Sequence, residues 1–362
     1  MKLAIYGAQG MALAAAKAFT ELYPQRAIEC FLVTELGNNA SEVMGLPVME
    51  AREYLAKYGA EARENAEILI ATPESVQDEI EEYLVSLGFR HYRRLTSMQW
   101  AELMELYYAR QGQFLPLRAL PLGVNPPFVR AYAAQSDKDR ALRGHYDIPE
   151  WIVPIQVGTA LAERKTAAVQ DHVGENISER NGNYCELTGL YWVWKHKLQT
   201  PDGGTDVNQY YGLAQYRRIL ELSNEDILRL ADNDVDVVLP YPMPYEPDIS
   251  VHHKRYLKDA DWKALEQAIA EVQPAYVDAL QQAMRQTYLY NYNVILAKKN
   301  VLRDYCAWLF SILQRTEELS VPKGSERSDR YLGYMGENLE TVYFLHHAKD
   351  LNIVHAGCRF LV

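Results

Sequence analysis

Lys2-Leu-Ala-Ile-Tyr6-Gly7-Ala8-Gln9-Gly10 opens the chain and decides how its first hundred residues fold. Five residues of mostly apolar character are too few for a helix and suit a strand. The two glycines then make a tight turn into an alanine-rich helical pattern, which runs to Leu22 before Pro24 stops it. The alternation repeats. Strand patterns at 30–33, 67–71 and 92–95 are separated by the Gly37-Asn38-Asn39 turn, the segment Gly45-Leu46-Pro47-Val48, and helical patterns at 51–58 and 74–87, with Gly88 placed as a C-cap. Apolar strands alternating with amphipathic helices predict a parallel sheet covered on both faces. This is a small Rossmann-like domain spanning residues 1–110.

Working outward, the character changes at 111–127, where Pro116, Pro121, Pro126 and Pro127 join Gly112 and Gly123 with no helical period. That stretch reads as a linker, and a second α/β domain follows at 128–362. Strands are expected at 128–133, at 152–157, up to Pro240 and at 292–297. A helix is expected to begin near Asn183, and two more, at 261–272 and 275–288, are split by Pro274. The helix at 299–318 keeps Val301, Leu302, Tyr305, Leu309, Ile312 and Leu313 on one face. A last helix at 337–348 precedes a closing strand at 353–355.

With 362 residues, two domains are the natural expectation. The composition, 48% hydrophobic and 23% charged, is that of a globular chain. A net charge of -11 opposes the basic face that nucleic acid requires, so no nucleic-acid partner is expected. No run approaches the ~20 apolar residues of a membrane span, and the chain opens in a strand without a leader pattern. Cys30, Cys185, Cys306 and Cys358 lack metal-ligand spacing and read as free thiols of a reducing compartment. A cytoplasmic protein is the expectation. The 26 tyrosines suit sugar-binding clefts and half-buried surfaces equally.

Gly7 and Gly10 are the first candidate site. A strand–Gly-x-x-Gly–helix turn offers free N–H groups to phosphate oxygens, so a cofactor-binding role is open. The full dinucleotide fingerprint needs a third glycine, and here Met11 and Ala12 follow. Glu35 lies near the distance for a ribose contact, while a turn without ligand explains the same residues.

The second domain carries more specific segments. Residues 171–195 (DHVGENISERNGNYCELTGLYWVWK) join a polar Gly/Asn loop to an aromatic helix. Then come Tyr211-Gly-Leu-Ala-Gln215-Tyr216-Arg217-Arg218, Asp236-Val-Val-Leu-Pro240 and Arg330-Tyr-Leu-Gly333-Tyr-Met-Gly336-Glu337. In this order, over residues 128–362, they resemble a family of bacterial capsular and exopolysaccharide synthesis proteins, long catalogued as a domain of unknown function and assigned to glycosyltransferases of the GT-A kind.

That resemblance implies a GT-A-like fold and transfer of a hexose from a nucleotide sugar, a UDP-sugar first, to a saccharide or lipid-linked acceptor. It also implies peripheral contact with the inner face of the plasma membrane. The departing diphosphate needs positive charge. Arg217 and Arg218, at a strand end, can supply it bidentately, and exposed surface ion pairs are the plain alternative. A divalent metal (Mn or Mg) on Asp232-Asn-Asp234 or Asp234-Val-Asp236 is the less favoured route, because these acids also fit a loop entering a strand. Glu337, following a Gly333-Tyr-Met-Gly336 turn and starting the last helix, is the candidate base for the acceptor hydroxyl, or simply a helix-start charge.

Asp137 and Asp139 lie where a nucleotide's base and ribose are usually held. Asp171, Asn176 and Ser178 could contact sugar hydroxyls or only order their own loop. Glu186 has the spacing of a capping box with Asn183. Tyr191, Trp192 and Trp194 read as core. Arg330 and Tyr216 belong to the shared segments and are expected at the substrate. Gln215 stands where the family usually has histidine, which removes metal or acid/base chemistry there and leaves hydrogen bonding. The adjacent pairs His252–His253 and His346–His347 do not face one ligand, so no zinc site is expected. Two other functions fit the chain: a nucleotide- or NAD-linked sugar-modifying enzyme using the first domain, and a non-catalytic component of a polysaccharide assembly complex.

Overall fold

The structure is a computed structural model and describes residues 2–199 and 208–362. It divides into two compact units. One comprises Met1–Gln113 with Met243–Glu246 and Val362; the other comprises Phe114–Pro242 and Pro247–Leu361.

In the first unit the elements run β1 (Lys2–Tyr6), α1 (Gly10–Leu22), β2 (Ile28–Val33), β3 (Glu42–Val43), β4 (Leu46–Glu50), α2 (Ala51–Tyr58), α3 (Ala60–Asn65), β5 (Ala66–Ile70), α4 (Gln77–Ser86), β6 (Tyr92–Arg94) and α5 (Ser97–Gln111). The sheet order is β3-β4-β2-β1-β5-β6, parallel apart from the β3–β4 pair. The strand direction of travel reverses between β1 and β5, as in a Rossmann-like sheet. α1 is alanine-rich because it packs flat: Ala12, Ala14, Ala15, Ala16 and Ala18 are all buried. No element is assigned from the sequence between Leu95 and Gln111, yet α5 fills this stretch. The Thr96 hydroxyl takes the Gln99 N–H while the Gln99 side chain takes the Thr96 N–H, a capping box that fixes its start.

The second unit continues with β7 (Phe128–Gln135), β8 (Ile152–Gln156), β9 (Val169–Gln170), α6 (Asn181–Tyr184), α7 (Leu187–Lys197), β10 (Gln209–Gln215), β11 (Arg218–Leu220), α8 (Asn224–Asp232) and β12 (Val237–Pro240). After β13 (Met243–Pro244) come α9 (Ser250–Tyr256), α10 (Asp259–Val272), α11 (Val277–Met284), β14 (Tyr288–Leu289), β15 (Ile295–Lys298), α12 (Lys299–Leu319), α13 (Tyr331–His346), β16 (Ile353–Ala356) and β17 (Cys358–Phe360). Its sheet runs β16-β12-β15-β10-β7-β8-β9, with β11 pairing β10 and β17. β10, β7, β8 and β9 are mutually parallel, and β15 is antiparallel to β10 and β12. The expected apolar face of α12 is buried at all six positions, each such side chain stabilising by roughly 1.5–3 kcal/mol.

Several boundaries move, each for a physical reason. From Phe114 onward the stretch expected as a linker is part of the second unit: Leu117 is buried in its core, and the His355 N–H donates to Leu115 O (2.8 Å). The strand expected from 292 starts at Ile295, because Tyr292 and Asn293 take positive φ. Gly333 and Gly336 do not form a turn. They lie inside α13, where their missing side chains admit neighbours: a Cβ on Gly336 would sit 2.7 Å from Leu187 Cδ1. Glu337 is therefore well inside the helix, not at its start. Among the described residues no helix is long and apolar enough to cross a membrane.

Candidate active site

β7, β8 and β10 run parallel and all end on glutamine: Gln135, Gln156 and Gln215. Their carboxyl ends therefore open at one edge, where sites of α/β sheets form. The first two glutamines hold a loop in place. Gln156, fully buried, accepts the Thr166 N–H (2.7 Å) and donates to Arg164 O (2.5 Å), and Gln135 donates to Thr166 O (3.2 Å).

The loop after β7 separates its two acids. Asp137 is buried; its carboxylate takes the Glu163 N–H (3.1 Å) and its carbonyl takes Arg164 Nη2 (2.6 Å). It braces the 163–164 segment. Asp139 accepts the Ser136 N–H (2.7 Å). Burial raises its carboxyl above the ordinary range, opposed by that hydrogen bond and by the charges of Arg217 and Arg330. Arg217 and Arg330 thus lie within electrostatic reach of one carboxylate, beside the Tyr216 phenol, which burial and Asp139 push up.

β10 turns into β11 through Tyr216 and Arg217, with Gln215 paired to Arg218 across the hairpin. Adjacent residues at such a turn diverge. Arg217 sits at the tip, its guanidinium 5.0 Å from the Tyr216 ring and 3.4 Å from Arg140 O. Arg218 returns into the sheet over the Tyr292 ring (4.2 Å) and donates to Gln215 Oε1 (2.7 Å). The two neighbouring guanidinium groups therefore point to different surroundings. Arg217 stands at the hairpin tip, and Arg218 holds Gln215.

Gln215 passes that order on. Its Nε2 donates to Tyr292 O (2.7 Å) and to Glu186 Oε1 (3.1 Å), which also accepts Asn293 Nδ2 (2.8 Å). Glu186 precedes α7 but its side chain makes no cap bond, so the expected box with Asn183 does not form. Asn183 turns away to donate to Gly324 O and Arg327 O, and Glu186 follows Cys185, whose φ is 53°. Burial raises the Glu186 carboxyl, Asn293 opposes this, and nearby Glu337 adds to it. The Cys185 thiol, 3.4 Å from Arg330 Nε, is pushed up to about 12 by burial and by Glu186.

Glu337 faces the same place from α13, but its oxygens are occupied. Oε1 accepts the Tyr292 N–H (3.1 Å); Oε2 lies 3.4 Å from Asn291 Nδ2 and 3.0 Å from His252 Nε2. Asn338 Nδ2 donates to Tyr334 O (2.9 Å) and faces His252 Nδ1 (3.4 Å), so Nε2 is the imidazole nitrogen whose proton points at Glu337. A third acid, Glu340, is wholly buried with neither oxygen hydrogen-bonded; burial, then Glu337 and Glu186, drive its carboxyl well above the usual range.

Backbone strain gathers here too. Six non-glycine residues among those described have positive φ, and four of them surround Glu186: Cys185, Tyr292 (76°), Asn293 (52°) and Arg330 (66°). Each such residue costs about 1–3 kcal/mol and persists where the surroundings demand it. From sequence, nothing marked Asn291, Tyr292 or Asn293; the only available signal was two asparagines flanking a tyrosine, residues that tolerate or favour such conformations.

The remaining expected residues lie elsewhere or have other duties. Asp171 is fully buried and accepts five hydrogen bonds: Gly158 N (2.8 Å), Thr159 N (3.1 Å), Thr159 Oγ1 (2.6 Å), Ser178 Oγ (2.6 Å) and Thr188 Oγ1 (2.7 Å). Ser178 also takes the Ala160 N–H, and Asn176 bonds His172 O, Gly174 O and the Ser178 N–H. These three order their loop, as the alternative drawn from the sequence has it.

Asp232 takes the Val124 and Asn125 N–H groups, while Asp234 and Asp236 pair with Lys298. In the first unit, Gly7 (φ 118°) makes the turn where a Cβ would meet Ala71 O at 3.1 Å, and a Cβ on Gly10 would lie 3.3 Å from Met243 Cε. Packing alone accounts for a glycine at both positions. A cavity of about 350 Å³ beside it is lined by Thr34, Glu35, Gly37, Glu50, Arg52 and Tyr83.

Residues 143–349 match the domain of unknown function DUF4422. The chain is similar in fold to the apo structure of WbbM, a bifunctional glycosyltransferase, with a TM-score of 0.51 and 22% identity over 64% of this chain. It spans 45% of that protein's length. No curated protein matches it. The match covers more than half of the chain, and on that ground the chain belongs to the DUF4422 family.

Proposed function

We propose that this protein is a glycosyltransferase that moves a hexose from a nucleotide sugar, a UDP-sugar first, to a saccharide or lipid-linked acceptor in capsular or exopolysaccharide synthesis. One observation carries the reading. At the carboxyl edge of β7, β8 and β10, Arg217 and Arg330 lie within electrostatic reach of Asp139, and Arg330 also within reach of the half-buried Glu186. Guanidinium groups at such an edge match the charge that grows on a departing diphosphate. A neighbouring carboxylate suits the acceptor's proton. The fold likeness to a glycosyltransferase supports the same chemistry. A lipid-linked acceptor would bring the protein to the inner face of the membrane.

Asp236 and one oxygen of the exposed Asp234 pair with Lys298, and in this proposal the positive charge on the leaving group comes from the arginines. Thermal shift against UDP-, GDP- and dTDP-sugars, with and without Mn²⁺, and against NAD(P) tests the function. Stabilisation by a nucleotide sugar is expected, with turnover falling about 10²–10³-fold in Arg217→Ala and Arg330→Ala. Stabilisation by NAD(P) alone would overturn the proposal in favour of a sugar-modifying enzyme.

A further inference from the structure

The three acids of the site, Glu186, Glu337 and Glu340, are not equivalent. Glu340 is sealed from solvent, with its oxygens unpartnered and its neighbours acidic. Glu337 is nearly buried, and its two oxygens already face the Tyr292 N–H, the Asn291 amide and the His252 imidazole. Removing a donor from Glu337 would release the 291–293 segment, whose positive-φ residues depend on such restraints. Glu186 differs. Both amides that reach it from other residues converge on Oε1, so Oε2 accepts no hydrogen bond from another described residue, and the side chain keeps partial exposure.

We infer that Glu186, not Glu337, is the carboxylate that takes the proton from the acceptor hydroxyl. The inference rests on the glycosyltransferase reading above. In the transfer step, the acceptor O–H proton passes to Glu186 Oε2 while the acceptor oxygen bonds to the anomeric carbon. The bond from that carbon to the phosphate oxygen breaks, and its electron pair leaves with the nucleoside diphosphate beside Arg217 and Arg330. Glu186 ends protonated. The amide clamp on Oε1 fixes the side chain so that only Oε2 is presented, which is the orientation a base requires. A carboxyl raised by burial also works as a base nearer neutral pH than an exposed one. Gln215 and Arg218 act behind it as positioning residues: Arg218 holds Gln215 Oε1, and Gln215 Nε2 holds Glu186.

The test uses the full chain and compares Glu186→Gln with Glu337→Gln. UDP release from UDP-glucose and UDP-galactose is followed with a panel of methyl glycosides as acceptors, with and without sodium azide, and UDP binding is measured by calorimetry. Azide attacks the anomeric carbon without giving up a proton, so it replaces acceptor and base together. Expected for Glu186→Gln is UDP binding within twofold of wild type, a loss of sugar transfer of about 10²–10⁴-fold, and azide-restored UDP release with a glycosyl azide as product. Expected for Glu337→Gln is no azide rescue. Turnover of Glu186→Gln within tenfold of wild type, or a loss that azide does not restore, overturns the base role while transfer by the wild type still stands. Rescue of Glu337→Gln instead reassigns the base. A wild type that binds UDP but releases none from either donor overturns the glycosyltransferase reading itself, and the role of Glu186 with it.

Discussion

Two acid-centred regions of the second unit look alike in sequence and are built in opposite ways. The 171–188 region has one carboxylate, Asp171, saturated by five donors from backbone and hydroxyl groups. The region where α7, the 291–293 segment and α13 meet spreads the same number of donors over three carboxyls: two amides on Glu186, three groups around Glu337, none at Glu340. A saturated buried acid is scaffold, because every lone pair is matched. An under-supplied one is a reactive resource, since its missing partner must come from solvent or a ligand. Position in a polar loop does not separate the two; the number of donors per carboxyl does.

The largest expected effect lies in the saturated region. Asp171→Ala strands two N–H groups and three hydroxyls in a buried site and should cost about 3–5 kcal/mol by urea unfolding. A loss below about 1 kcal/mol would break the contrast, because Asp171 would then not be scaffold. Next is Gly336→Ala, whose Cβ would lie 2.7 Å from Leu187 Cδ1 and 2.8 Å from Asn293 Oδ1. Overpacking of this kind costs about 1–3 kcal/mol. By displacing the Asn293 amide from Glu186 it should also lower turnover more than it lowers UDP binding, and equal losses in both would sever the packing from the site.

The smallest effect is Glu340→Gln, expected to change stability by less than about 1 kcal/mol at pH 5. Because the folded carboxyl is raised, the wild type is at its best below the ordinary carboxylate range and loses stability as the pH climbs through the folded value. The glutamine variant lacks that loss, so its melting temperature should gain on wild type from pH 5 to pH 9. Parallel curves would show that Glu340 is not held protonated.

Much of the architecture was legible from local pattern. Strand β1, helix α2 (51–58, matched at both ends) and the stripe of α12 follow from periodicity and stop signals alone. The site was legible only in part. Arg217, Asp139 and Arg330 were expected at the substrate, and in the structure both arginines lie within electrostatic reach of Asp139. Glu186 was misread because Asn183-x-x-Glu186 has capping-box spacing, while Cys185, with φ 53°, breaks the helix that the box would need. The Gly333–Gly336 pair was read as a turn because glycine breaks isolated helices. Here α13 tolerates both, since Cys185 Sγ and Leu187 Cδ1 occupy the space their side chains would fill. Such tertiary demands leave no trace in sequence spacing.

One consequence follows from the chain's route. Met243–Glu246 and Val362 belong with the first hundred residues, although more than a hundred others intervene. Met243 covers Gly10, and Glu246 pairs with Lys17 at 2.6 Å. A gene severed after codon 113 would therefore express a Rossmann-like fragment without its own lid over α1. Any chimaera that grafts this unit onto a relative must carry the 243–246 segment and the terminal valine along as one inheritance.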